Sequence, residues 1–421
     1  MRARSMPIFV LSLVSVIFAF EIFYKICPSV LSVDFMRDLG LNEARLPLIS
    51  SATMLGYAIM QIPSGIIADA FGGRRVVLVL TLLVGASTLA FSLTENANTA
   101  IFLRFLTGIG TAVTVPCLTL LARWFPPQSF GRANSIMLMF GMLGTFLATG
   151  PAALAAQTIG WRVALGAIGT FSIVQAVFLM LVPEKGASDA GPDHSPNGKP
   201  EKNARPKLHL MSSLKTIAGK KDFWFLSVWF VCFIPLNIAF ASLWWGPYLM
   251  KGCGMTQTGA GAVLSAVTIC AFPMQVIVAW LSDSLLQSRK KIFIILGVLG
   301  VLTTPFFVRF CGSQSFILHT VLGVVFYYAT GGGNAVAYAA LREMIPGEML
   351  GLGLGFMNTF YPIMTMALQT LFGHILLGRL AVMGETEAYA GAMWVYGAVM
   401  LLGLAAALLM RETFPGEKAA A

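Results

Sequence analysis

Hydrophobic positions along this chain neither alternate nor mark a single helix face. They come in long unbroken runs. Six lie near residues 7–32, 46–68, 76–94, 99–122, 133–156 and 162–182, and six more near 223–249, 256–281, 292–310, 315–340, 351–377 and 388–410. Each is long enough for a helix across a hydrocarbon core about 30 Å thick. A bilayer offers backbone groups no water, so spanning segments are helices or a closed barrel. Runs of this length are not the short alternating strands of a barrel. The pattern predicts an all-α integral membrane protein with twelve transmembrane helices in two six-helix halves. Between the sixes, 184–221 is polar, rich in Pro, Gly and Lys, and without periodicity until about Leu208. The expected organisation is an N-terminal half at 1–183, a cytoplasmic linker at 184–221 and a C-terminal half at 222–421. The first run lacks a small-residue cleavage site and is expected to stay as a span.

Composition supports this and charge gives it an orientation. Of 421 residues, 57% are hydrophobic and 11% charged, whereas a soluble domain is roughly 25% charged. A soluble or disordered chain is thereby excluded. With the N-terminus inside, twenty of the 28 Lys and Arg fall in inner loops and six in outer loops, leaving Lys25 and Arg104 within spans. This positive-inside bias places both termini in the cytoplasm of a multi-pass protein of the cell (inner) membrane. The net charge of +10 is therefore mostly topology. No basic stretch is interleaved with aromatics, so no nucleic acid is expected. The six cysteines form no CxxC pair and have no His cluster beside them, so neither metal nor cofactor is expected. Cys253 and Cys311 fall in short outer loops and are expected as unpaired thiols. No P-loop and no Ser/His/Asp set appears, so no enzyme activity is expected.

Ionisable residues at membrane depth are expensive and mark a site by default. Three qualify: Glu21, Lys25 and Arg104. Glu21 and Lys25 are four apart and share a helix face. A neutral intrahelical pair is one reading. A substrate site with Glu21 as the proton-coupling carboxylate and Lys25 as an anion ligand is the favoured one. Arg binds carboxylate or phosphate bidentately and keeps its proton, so Arg104 is a second candidate anion ligand. The second half has no charge at depth. Its candidate substrate-binding residues are Asn237, Tyr327, Asn334, Tyr338, Asn358 and Tyr361. Tyr327, Asn334 and Tyr338 recur at seven and four, on one helical face. Gly331-Gly332-Gly333 between them can weaken that helix. Trp244, Trp245 and Tyr248 sit near an outer boundary and are expected in an interface belt. Gly150-Pro151 is expected to kink the fifth span.

A repeat links the halves. Gly65 and Asp69 precede Arg74 and Arg75, while Ala279 and Asp283 keep the same spacing ahead of Arg289-Lys290-Lys291. Small residues such as Gly65 let helices approach closely, and Asp69 can pair with Arg74 or Arg75. The stretch Gly65-x-x-x-Asp69-x-x-Gly72 resembles the signature loop of the major facilitator superfamily. Arg104-Phe-Leu-Thr-Gly108-Ile-Gly110, Arg123-Trp-Phe-Pro126-Pro127 and Gly160-Trp161-Arg162 are similar to further stretches of that superfamily, the last two most of all to those of sugar-phosphate permease-like and anion:cation symporter-like members. Ala70 and Gly73 depart from the usual basic residues. The resemblance implies that Gly65, Asp69, Arg74, Arg75 and Asp283 form a gating latch, here weaker or shifted. It also implies that Arg104 faces a cavity between the halves. The expected function is a secondary transporter of a small organic anion, a carboxylate or organophosphate, working by alternating access in proton-coupled symport. The alternative is a proton-driven exporter of cationic or lipophilic compounds. The expected partners are the anionic substrate, protons and the lipid bilayer, with the chain as a monomer.

Overall fold

A computed structural model describes residues 6–125, 127–183, 215–345 and 350–414. The linker, apart from 215–221, and Pro126 lie outside these residues, as does the Asp69 side chain. The chain divides into two compact units, Met1–Glu201 and Lys202–Ala421.

The first unit contains α1 (Met6–Ile26), α2 (Pro28–Leu39), α3 (Leu46–Phe71), α4 (Gly73–Leu93), α5 (Ala97–Gly110), α6 (Thr114–Trp124), α7 (Pro127–Leu147), α8 (Gly150–Ile159) and α9 (Trp161–Met180). Three of its apolar runs are broken helices. The first breaks at Cys27, where Pro28 brings no N–H and so removes an i→i−4 bond. The fourth breaks between Gly110 and Thr114, where the Thr111 hydroxyl donates to the Gly108 carbonyl at 2.8 Å. Such back-bonding bends helices. The fifth bends by 43° between Ile136–Leu147 and Gly150–Ile159, with Pro151 in the first turn after the bend.

Backbones touch where glycine allows it. A Cβ on Gly108 would lie 2.0 Å from the Thr53 carbonyl oxygen, and one on Gly144 would lie 2.0 Å from that of Ala19. These contacts lock α5 onto α3 and α7 onto α1. Val14, Val77, Leu120, Leu121 and Leu179 close the interior. Large apolar residues such as Ile66, Val79, Leu93 and Phe102 stay exposed. Water would not tolerate that surface, but lipid does.

The second unit contains α10 (Lys221–Ala239), α11 (Gln257–Ala271), α12 (Met274–Trp280), α13 (Arg289–Arg309), α14 (Phe316–Gly331), α15 (Asn334–Met344), α16 (Leu350–Leu380), α17 (Glu385–Ala392) and α18 (Trp394–Leu409). Two π-helical turns, Phe240–Trp244 and Tyr248–Gly252, extend α10. A third, Leu281–Leu285, extends α12. Ten helical stretches are long and apolar enough to cross a membrane, and the bent pair makes an eleventh. The one remaining apolar run is α3, a single helix of 26 residues. All twelve runs are thus helical, and no strand occurs among the described residues.

The interface belt expected at Trp244, Trp245 and Tyr248 is not what the fold shows. All three are at most 1% exposed. Phe240, Phe307, Phe326, Phe372 and Tyr396 supply an aromatic core for them. The Trp244 indole N–H donates to the Gln369 carbonyl at 2.9 Å, and the Tyr248 hydroxyl donates to that of Phe307 at 2.6 Å. Satisfied polar tips let the Trp244 and Tyr248 rings go fully inside.

Candidate functional site

The break in the first span sets up the polar centre of the first unit. Pro28 cannot donate to the Tyr24 carbonyl four residues earlier. Arg104 fills that role: its guanidinium donates to the Tyr24 oxygen at 2.8 Å and to the Ile49 oxygen at 3.4 Å. Arg104 is 2% exposed and lies 5.7 Å from the Phe91 ring. It is a cation held by carbonyl dipoles, tying α5 to α1 and α3.

Glu21 and Lys25 form a separate cluster. The Lys25 ammonium donates to Glu21 Oε1 at 2.7 Å. The Thr114 hydroxyl lies 3.0 Å from each oxygen of the same carboxylate. Lys25 Nζ also stands 3.6 Å from the centre of the Tyr57 ring. The Glu21 side chain is 2% exposed and that of Lys25 is 11% exposed. Charge-assisted bonds of this kind are the strong ones. The fourth-span break matters here, because Thr114 is the first residue of α6, directly after it. The structure therefore brings Glu21 and Lys25 together and gives Arg104 different partners. Thr114 and Tyr57 escaped the sequence reading. Neither is charged, and their roles depend on contacts across 93 and 32 positions of chain.

In the second unit, the Asn237 amide donates to the Thr330 hydroxyl at 2.8 Å, both buried. The Tyr338 hydroxyl donates to Asn358 Oδ1 at 2.9 Å, and the Asn358 amide donates to the Leu354 carbonyl at 2.8 Å. Tyr327, Asn334 and Tyr361 are half-buried. The helix is interrupted at Gly332-Gly333, so Tyr327 sits on α14 while Asn334 and Tyr338 sit on α15. The seven-residue spacing thus does not run through one continuous helix. A Cβ on Gly333 would meet the Trp229 ring at 2.3 Å, which explains a glycine at the interruption. Thr330 and Ser242, the latter bonded to the Gln369 amide at 2.9 Å, are polar groups that the sequence reading passed over.

The expected latch residues divide. Arg74 donates to the Leu179 and Met180 carbonyls at 3.1 and 3.3 Å, at the C-terminal end of α9, where a cation is favoured. Arg75 is exposed, and a Cβ on Gly65 would meet only a side chain, that of Val115, at 3.2 Å. The tight glycine of that loop is Gly73, whose added Cβ would lie 2.7 Å from the Pro116 oxygen. In the second unit Asp283 pairs with Arg289, which also holds Glu343 at 2.9 Å. Glu412 closes the same corner by accepting from the Arg289 backbone N–H at 2.9 Å and from Ser288. Burial pushes the Glu412 carboxyl up. The hydrogen bonds from Ser288 and from backbone N–H groups outweigh this and hold it below its ordinary value.

The Gly160-Trp161-Arg162 stretch is a structural staple. The Trp161 indole donates to Asp38 at 2.8 Å, and Arg162 donates to the Thr94 carbonyl at 2.7 Å. Among the described residues no group of three or more His, Cys, Asp or Glu could hold a metal ion.

The chain is 24% identical over 408 residues to the "Probable sulfoacetate transporter" of Cupriavidus necator, covering 91% of this chain and 90% of that protein. It is 24% identical over 416 residues to the "Probable galactarate/D-glucarate transporter" GudP of Escherichia coli K12, covering 91% and 88%. It is 25% identical over 338 residues to the gallate transporter of Pseudomonas putida, covering 75% and 72%. Among solved structures, a bacterial homologue of the human lysosomal transporter Spinster superposes with a TM-score of 0.74 at 15% identity, covering 97% of each chain. A D-xylose-proton symporter gives 0.71 at 17%, covering 97% and 98%. The model of the Major Facilitator Superfamily matches residues 11–245 and again 235–421. With both parts of the chain matched, this protein belongs to the Major Facilitator Superfamily and is a multi-pass membrane transporter, not an enzyme.

Proposed function

We propose that this transporter moves a small organic anion across the cell membrane by alternating access, coupled to protons in symport. The observation that carries the reading is the buried Glu21–Lys25 pair with Thr114 on its carboxylate. The ammonium is the anion ligand and the carboxylate is its internal counter-ion. A proton taken up on a Glu21 oxygen removes that counter-ion and frees Lys25 for a substrate carboxylate or sulfonate. Relatives named for sulfoacetate, for galactarate and D-glucarate, and for gallate support an acidic substrate. An exporter of cations would need Glu21 open to its cargo, whereas Lys25 and Thr114 occupy both carboxylate oxygens. In the second unit Asn237, Tyr327, Asn334, Tyr338, Asn358 and Tyr361 offer the substrate hydrogen bonds. Arg104 serves by holding the first-span break. Asp283 and Arg289 serve as the latch on the cytoplasmic side, where the positive-inside bias puts both termini.

The test is uptake by proteoliposomes of a panel of carboxylates, sulfonates and phosphate esters under an imposed pH gradient. Parent protein should accumulate an organic anion from that panel. Lys25→Ala should lose uptake by at least tenfold, and Glu21→Gln should exchange substrate without proton-driven accumulation. Undiminished uptake in Lys25→Ala would sink the anion-ligand role. Full accumulation in Glu21→Gln would remove the coupling role.

A further inference from the structure

Beside Glu21 lies a cavity of about 10 Å³, walled by α1, α4, α9 and the break between α5 and α6. Its polar lining is Glu21, Tyr24, Thr81, Thr111, Ser172 and Gln175. Three of these groups are accounted for. The Tyr24 and Ser172 hydroxyls bond each other at 2.7 Å, and Thr111 donates to the Gly108 carbonyl. Gln175 and Thr81 are different. They are 3% and 1% exposed, yet neither the amide oxygen and nitrogen of Gln175 nor the hydroxyl of Thr81 has a partner. Each such orphan is costly to bury unless something satisfies it. Three orphans around one cavity, next to a carboxylate, make an apolar filling untenable. The volume suits a single water, which needs two to four polar partners.

We propose that this cavity is a built site for one water molecule, held by Gln175 and Thr81 and hydrogen-bonded to Glu21. Its purpose follows from the partners that Glu21 already has. Lys25 has no lone pair to offer, and Thr114 gives its one hydroxyl proton to the carboxylate. As the structure holds them, both donate to the charged form, and Thr114 accepts from an uncharged carboxyl only if its hydroxyl turns round. An uncharged carboxyl carries an O–H that needs an acceptor, and the water and the Gln175 amide oxygen provide it. The other titratable groups around Glu21 are Tyr24 on α1, Tyr57 on α3 and Cys117 on α6. Arg104 on α5 stands off on the Tyr24 carbonyl. From α4 and α9 the polar groups that face the cavity are Thr81, Ser172 and Gln175, none of them titratable, and α7 brings no titratable group among the described side chains. Gln175 and Thr81 are thus positioning residues for Glu21. The inference rests on the reading of Glu21 as the coupling carboxylate.

Infrared spectroscopy of the purified full chain tests it. Parent protein should show an O–H stretch that moves on exchange into water labelled with ¹⁸O. That band should be lost in Gln175→Leu and in the isosteric Thr81→Val, and should return in Thr81→Ser, which keeps the hydroxyl. The C=O stretch of protonated Glu21, identified by its loss in Glu21→Gln, should move to higher frequency in Gln175→Leu. A merely structural role would lower the unfolding temperature and leave both bands in place, and that result overturns the water site. Failure of the coupling reading shows elsewhere, as proton-driven accumulation that survives Glu21→Gln.

Discussion

Glu21 and Lys25 cancel each other's charge four residues apart, and neither is dispensable alone. Breaking a buried pair by removing one partner typically costs about 3–5 kcal/mol, while replacing both by apolar groups is often nearly neutral. Lys25→Met and Glu21→Gln should therefore each lower the unfolding temperature in detergent. The double variant should lie closer to the parent than Lys25→Met does. A double variant that merely sums the two losses would show that the pair is not coupled. These two residues were legible in the sequence, because charge inside an apolar run stands out. Their neighbours were not. Thr114, Tyr57, Thr81 and Gln175 are ordinary residues for a membrane helix, and only the fold shows that they converge on one carboxylate. Arg104 was legible as an anomaly, but its partner was not, since a backbone carbonyl leaves no mark in a sequence.

At the scale of elements, the breaks organise the chemistry. Two of the breaks in the first unit free backbone or redirect a side chain. The Pro28 break leaves a carbonyl that Arg104 takes, and the break before Thr114 turns that hydroxyl toward Glu21. A direct expectation concerns the first. Pro28→Ala would restore an N–H for the Tyr24 carbonyl, so Arg104→Ala should destabilise a Pro28→Ala background less than it does the parent. Equal losses in the two backgrounds, read from thermal unfolding, would refute this account of Arg104. Pro151 announces its break in the sequence, and Pro28 is a signal that the reading of 7–32 as one run passed over. The break after Gly110 and the π-helical turns from Phe240 to Gly252 carry no comparable signal. They arise from side-chain back-bonding and from packing against distant aromatics.

At the scale of the whole molecule, twelve apolar runs and the doubled Gly/Ala-x-x-x-Asp spacing made the fold class readable, because lipid leaves the chain so few solutions. The closing of the second unit's charged corner was less so. Its acidic members, Asp283, Glu343 and Glu412, come from three separate parts of the chain. Acid should open this corner. Glu412 is held below its ordinary value of 4.5, so its contribution is complete above that pH. It fades as the pH falls and is lost once the pH passes the folded-state value. Unfolding temperatures followed from pH 7 to pH 3 should fall more steeply in the parent than in Glu412→Gln across the acid end of that range. Identical slopes would exclude Glu412 as a contributor.

The bond from Arg104 to the Tyr24 carbonyl also has a meaning for biogenesis. An arginine at the centre of a nascent helix resists insertion by roughly 2.5–3.5 kcal/mol. The first span delivers Glu21 and Lys25 as a self-neutralising pair on one helix. The fourth brings a cation with no acid on its own helix. Its acceptor lies 80 residues earlier, in a segment that leaves the ribosome first. Synthesis from the N-terminus thus places the receiving carbonyl in the bilayer before the arginine that needs it arrives.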